Sequence, residues 1–279
     1  MIEEIKSIEN YLNWVRNCST LESAGLTWQQ HHLYFRGQAN CEWKLQPSVF
    51  VHKENEYELL QDAYRHAWKY LQDYPTDLEK MVVLQHYGLH TRLLDLTSNP
   101  LMALYFACSS YEGEDGKVFC YCASGDDGYR VASIIAKIVV HGVNKGLGLE
   151  QLLKNEYLNF YIRDKGEPID KESFEQWKKR LYEPVFFHSP FNNNRITAQR
   201  GAFLMSPLDE RDSATGSHFK ENVFKNHGLW KEVLIDKDSK KVILEELTLL
   251  GIDESTVYPD LEHLLRFLNE KNSGSRKMI

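Results

Sequence analysis

His86-Tyr87-Gly88-Leu89-His90-Thr91-Arg92-Leu93-Leu94-Asp95-Leu96-Thr97-Ser98-Asn99-Pro100 is the stretch on which the reading of this chain turns. Gly88 reads as the stop of a helix that begins after Pro75 and Asp77 and runs to about Tyr87. Leu93 to Leu96 form a short apolar run, and Asn99-Pro100 supplies a polar cap followed by proline at a first helical position. The helix so started, Leu101 to about Ser109, is nearly all apolar and is expected to be buried. Arg92 and Asp95 flank an apolar pair, so each needs a partner; they pair with each other, or Asp95 pairs with Arg36.

Upstream, Ile2, Ile5, Ile8, Leu12 and Val15 recur at helical spacing, predicting a helix that ends near Cys18. His32 to Gly37 reads as a strand closed by glycine. Residues 54–73 carry Leu60, Ala63, Tyr64, Ala67, Trp68 and Leu71 on one stripe of a further helix. Downstream, Lys117 to Cys122, Ile134 to Val140, Pro184 to His188, Ala202 to Met205 and Lys231 to Ile235 read as strands. Residues 147–182 read as polar helices or an insertion, and 207–222 as a loop. Helices are expected over Lys240 to Leu250, closed at Gly251, and from Asp260 to Asn269. Strands and helices do not alternate regularly, so the fold class expected is α+β, one mixed domain over 1–279 with a mainly antiparallel sheet packed by helices. Within it, 1–20 is the N-terminal helix, 31–207 the core and 223–279 a C-terminal strand and helices.

Composition narrows the function classes. The 279 residues include 15 Tyr, 13 Phe and 6 Trp, which suits a packed core and not a disordered chain. With 33 Lys and Arg against 40 Asp and Glu, the net charge of −7 argues against a general binder of nucleic-acid backbone. No apolar run reaches the ~18 residues of a membrane span. Met1 to Lys6 lacks a basic region leading into an apolar one, so a cytoplasmic location is expected. The five cysteines are odd in number and irregularly spaced, as suits reduced thiols. Cys120 and Cys122 have no second pair, and Gly88 interrupts His86 and His90, so no metal is expected. The sequence contains no Walker loop, G-x-G-x-x-G or G-x-S-x-G.

Two segments combine polar groups with an apolar setting. In Tyr34-Phe35-Arg36-Gly37-Gln38, Arg36 offers a planar fork for phosphate or carboxylate, and Gly37 allows a ligand or a second backbone to come close. The plainer reading is an arginine at a strand end paired with an acid. In the second segment, the helix starting at Asn99 or Pro100 turns its N-terminus toward Thr97, where free amides beside arginines make an anion site. Together the segments suit a pyrophosphate.

These residues also carry a resemblance. Phe35-Arg36-Gly37 resembles the signature of the FRG-domain family. His86-Tyr87-Gly88 through Thr91-Arg92-Leu93-Leu94-Asp95, Thr97 and Asn99-Pro100, with Ala103 to Ala107, is similar to its second motif. Arg195 to Phe203 is similar to its third, and Val257 to Leu261 to its ending. The motif order further resembles ADP-ribosyltransferase folds with a split sheet, in which an early arginine engages NAD and a late glutamate is catalytic. That resemblance implies catalytic roles for Arg36, Asp95 and Gln199. It implies contacts to NAD from Gln38, His86, Tyr87, Thr91, Arg92, Thr97, Asn99 and Arg195, with Tyr87 or Tyr105 stacking on nicotinamide. Gly201 stands where the glutamate is expected, and Asp95 is the candidate to replace it. The function implied is an ADP-ribosyltransferase-like toxin or phage-defence effector, acting on a nucleic-acid or protein acceptor; the sequence names no antitoxin or defence partner. The alternative is a non-catalytic nucleotide or RNA sensor using Arg36, Arg92, Arg195 and Arg200 as phosphate contacts. A third reading gives the motifs only a structural role.

Overall fold

The computed structural model describes residues 3–19, 31–111, 113–124, 128–142, 150–157, 171–189, 194–209, 229–260 and 265. The strands are β1 (Glu4–Ile5), β2 (His31–Gln38), β3 (Leu93–Thr97), β4 (Gly116–Ser124), β5 (Val185–Phe187), β6 (Gly201–Met205) and β7 (Leu229–Ile235). They form one seven-stranded sheet in the order β1-β7-β4-β2-β3-β6-β5. Among the described residues, only the β1–β7 pair is parallel. The helices are α1 (Ile8–Ser19), α2 (Ser48–Val51), α3 (Glu56–Leu71), α4 (Asp77–His86), α5 (Pro100–Cys108), α6 (Gly128–His141), α7 (Lys171–Lys179), α8 (Asn194–Ala198), α9 (Lys240–Leu249) and α10 (Glu254–Val257). The fold is therefore α+β with a mostly antiparallel sheet, as expected. No helix among the described residues is long and apolar enough to cross a membrane.

The sheet is split. β2 and β4 stay in register from His31↔Ser124 to Gln38↔Lys117, and β3 and β6 from Leu93↔Met205 to Thr97↔Gly201. Between β2 and β3 the register holds at Phe35↔Thr97 alone. Beyond that point the two strands diverge, and the sheet opens into a half of β1, β7, β4 and β2 and a half of β3, β6 and β5.

Each half carries its own helices on the same face. Over the first, α1, α5 and α9 bury Tyr11, Trp14, Leu104, Ile243 and Leu247 against Phe35, Val118 and Val233. Over the second, α3, α4, α6 and α7 bury Leu60, Met81, Ile135 and Trp177 against Leu93, Phe203 and Met205. The alternation of strand side chains sends Tyr34, Leu94, Leu96, Phe119, Tyr121 and Leu204 into a third cluster on the opposite face. The gap between the two helix layers lies over the split.

Local chemistry sets the elements beside that gap. Thr76 and Glu79 form a reciprocal capping box at the start of α4. At its end Gly88, with φ of 95°, lets Leu89 N donate to Leu84 O and Gly88 N to Gln85 O, closing the helix in a Schellman turn. Asn99 caps α5 by accepting from Leu101 N, with Pro100 in the first turn. α5 is buried, as its composition predicts, and Gly37 shows why it lies so close to β2. A Cβ there would stand 1.9 Å from Ala103 O, so the glycine admits the helix backbone and not a ligand.

Some expectations require correction. Ile134 to Val140 is not a strand but the buried part of α6. Its β-branched run hides the helical spacing, which survives in the partly exposed Arg130, Ser133, Lys137 and His141. Ile5 lies in β1 and not in the first helix. Trp68 is 55% exposed and leaves the stripe of α3. The helix expected from Asp260 to Asn269 and the loop over 207–222 fall largely outside the described residues.

Candidate active site

A cleft of about 380 Å³ occupies the gap. Phe35, Thr97 and Phe203 line it from the strands, Val82, Gln85 and His86 from α4, and Phe106, Ser109 and Ser110 from α5 and the residues after it. Arg195, Gln199 and Tyr258 reach it from the segments beside β6 and the C-terminal region. Gln38, Ala39 and Trp43 line it where β2 ends.

Arg36 spans the split. Its Nη1 donates to the backbone carbonyl of Asp95 at 2.7 Å, where the ladder between β2 and β3 has already stopped. The side chain takes the place of a strand amide and joins the two halves. Its Nε is buried without a partner, as is Oε1 of Gln38, which is 5% exposed. Burial lowers the pKa of Arg36 from its ordinary value, while the nearby Asp95 carboxylate acts in the opposite direction.

Asp95 is the one exposed residue of β3, whose other positions are all buried. Its carboxylate is held in place. Gln85 Nε2 donates to Asp95 Oδ1 at 2.8 Å, and the Gln85 Oε1 accepts from the Thr91 hydroxyl. Thr91 is fully buried, and its hydroxyl also accepts from Leu93 N. Thr91 therefore positions the acid from below and does not face the cleft.

His86 and Arg195 form the other wall. Burial lowers the pKa of His86 below its ordinary value, the Arg195 charge lowers it further, and Asp260 and Asp95 oppose the shift. The imidazole is thus mainly neutral near pH 7. The Arg195 guanidinium lies over the Tyr258 ring, 4.8 Å from its centroid.

The structure brings Arg36, Gln38, His86, Asp95, Thr97, Arg195 and Gln199 to one cleft. It leaves Arg92, Tyr87, Thr91 and Asn99 outside. Arg92 is 1% exposed and donates Nε and Nη2 to the Glu56 carboxylate at 2.5–2.9 Å, so its expected pairing with Asp95 does not form. Tyr87 is 82% exposed and Tyr105 is buried, and neither lines the cleft. The first turn of α5 is also not the anion site expected. The Thr97 hydroxyl donates to Gln199 O and accepts from Asn99 N, closing that end, and it is the C-terminal part of α5 that faces the cleft. Gln199 spends its Nε2 on Val257 O.

Sequence reasoning missed Gln85, Trp43 and Tyr258. Gln85 immediately precedes the stretch that begins at His86, and its role emerges only when the end of α4 is set against β3. No group of three or more His, Cys, Asp or Glu side chains among the described residues is placed to hold a metal.

Residues 31–116 match the family model described as the FRG domain. This segment is similar to the FRG domain. The match takes in β2, α4, β3 and α5, and hence Arg36, Gln85, His86 and Asp95. Arg195, Gln199 and Tyr258 reach the cleft from beyond the matched residues. No curated protein and no solved structure matches the chain.

Proposed function

We propose that the cleft binds a dinucleotide of the NAD type and that the protein transfers or releases its ADP-ribosyl group. The observation that carries this reading is the pairing of Arg36, which bridges a split sheet, with Asp95, an exposed carboxylate oriented by Gln85. Arg36 and Arg195 supply positive charge for a pyrophosphate. Asp95 supplies negative charge beside them.

In the proposed step the bond between C1′ of the ribose and the nicotinamide nitrogen breaks, and nicotinamide leaves with the electron pair. Asp95 stabilises the positive charge developing on the ribose. An acceptor oxygen or nitrogen then bonds to C1′ and loses its proton, with water as the acceptor in simple hydrolysis. The register supports Asp95 in this role despite Gly201. Thr97 stands opposite Gly201 and Asp95 opposite Phe203, so Asp95 and Gly201 are diagonal neighbours on one face. Such neighbours lie about 7–8 Å apart, within the span of a carboxylate side chain and a ribose.

The alternative of a phosphate-reading RNA module finds less support, because Arg92, one of its four arginines, is closed off by Glu56. The test is nicotinamide release from NAD by the intact chain. Asp95→Asn is expected to lower the rate at least ~100-fold, in line with the loss of one electrostatic contributor, with NAD affinity little changed. Equal rates for Asp95→Asn and the parent would remove Asp95 from the mechanism.

A further inference from the structure

Trp43 and Tyr111 are large aromatic residues left 43% and 56% exposed, and they touch each other. Their ring centroids are 4.8 Å apart at 84°, so the pair meets edge to face and leaves ring faces open. Trp43 lines the cleft where β2 and α5 both end.

The loops bearing these rings are fixed from beneath. Lys240, at the start of α9, is 2% exposed, and its Nζ donates to Ala39 O at 2.6 Å, Ser110 O at 3.2 Å and Tyr111 O at 3.1 Å. One ammonium group therefore ties the turn after β2 to the turn after α5. Cys41 N donates to Asp115 O at 2.7 Å, adding a second tie between the same loops. Tyr111 adopts φ of 54°, a conformation that an aromatic residue seldom takes, and its carbonyl is one of those Lys240 holds. The two rings are thus set in place by a buried scaffold.

We infer that Trp43, braced by Tyr111, is the stacking platform for the adenine base of the dinucleotide. This rests on the NAD reading above and assigns the opposite end of that ligand. The charged groups Arg36 and Asp95 lie within the strands, and Trp43 lies past the end of β2. A ligand with its pyrophosphate at Arg36 and its reacting ribose at Asp95 then extends its second base over the indole. Stacking on an aromatic face requires no hydrogen-bond code, and each base so held contributes roughly 10- to 100-fold in affinity.

The test is calorimetric titration of the intact chain and of Trp43→Ala, Trp43→Phe and Tyr111→Ala with NAD, AMP and nicotinamide mononucleotide. Trp43→Ala is expected to weaken NAD and AMP roughly 10- to 100-fold and to leave nicotinamide mononucleotide within about threefold. Trp43→Phe is expected to retain most of the affinity, and unchanged melting temperatures identify folded variants. Trp43→Ala binding NAD as tightly as the parent overturns the inference and leaves the NAD reading intact. Loss of nicotinamide mononucleotide binding with AMP binding retained overturns the assignment to adenine. A parent chain that binds AMP through Trp43 but not NAD sinks the dinucleotide reading and supports the platform. A parent chain that binds none of these ligands overturns both.

Discussion

Replacing Glu56 by Gln is expected to destabilise the protein severely without touching the cleft. Arg92 and Glu56 are 1% and 0% exposed, and Arg92 Nε and Nη2 both donate to the Glu56 carboxylate. Arg92 Nη1 donates to Pro207 O at 3.1 Å, so the pair pins the first turn of α3 to the segments that flank β3 and β6. Glu56→Gln takes the carboxylate away from a buried guanidinium, a loss of about 3–5 kcal/mol. For a chain of this length each kcal/mol shifts the melting temperature by about 2–4 °C, so the drop is roughly 6–20 °C. Removing both charges, as in Glu56→Leu with Arg92→Met, is expected to recover most of it, because apolar side chains then replace the buried pair. Thermal and urea denaturation measure both effects. A Glu56→Gln protein that melts within about 2 °C of the parent but binds nucleotide less tightly would refute the reasoning and return Arg92 to the site.

Gly37→Ala is expected to cost about 3 kcal/mol or more, since its Cβ would meet Ala103 O at 1.9 Å and Ala107 N at 2.8 Å, both backbone atoms of a buried helix. A stable Gly37→Ala protein with weakened nucleotide binding would show that the glycine serves the ligand instead. For His86, burial and then Arg195 hold the folded pKa below the unfolded one. Unfolded chains therefore take up this proton first as pH falls below about 6.5, and the neutral imidazole's contribution to stability is lost from there down through the folded pKa. A phosphate beside His86 and Arg195 favours the protonated ring, so NAD affinity is expected to rise as pH drops from about 7.5 to 5.5. Calorimetry across that range checks this, and the slope should flatten in His86→Gln.

How much of this was legible in the sequence depended on whether the deciding interaction was local. The Asn99-Pro100 cap and the Gly88 stop are set within a few residues, and both helix ends fall where the residues place them. Asp95 stood out as a lone acid in an apolar run, and it is the exposed residue of β3. Arg36 and Arg92 look alike in sequence, each adjoining an apolar strand. What separates them is Glu56, which lies in the first turn of a helix 36 residues before Arg92. The start of α5 reads as an anion site until Thr97, Gln199 and Asn99 are seen to satisfy one another across 102 residues. α6 was hidden by its β-branched composition, and Trp43 lies in a turn with no periodicity to mark it. The split itself depends on where β2 and β3 part, which no single segment records.

Calorimetric titration of NAD into the intact chain and into Arg36→Ala tests the central claim most directly. The account predicts saturable one-to-one binding by the parent and binding weakened about tenfold or more in Arg36→Ala, with secondary structure retained, as the loss of a charge-assisted contact worth about 1.5–3 kcal/mol requires. No heat from the parent with NAD up to about 1 mM, or equal affinity in Arg36→Ala, would contradict it.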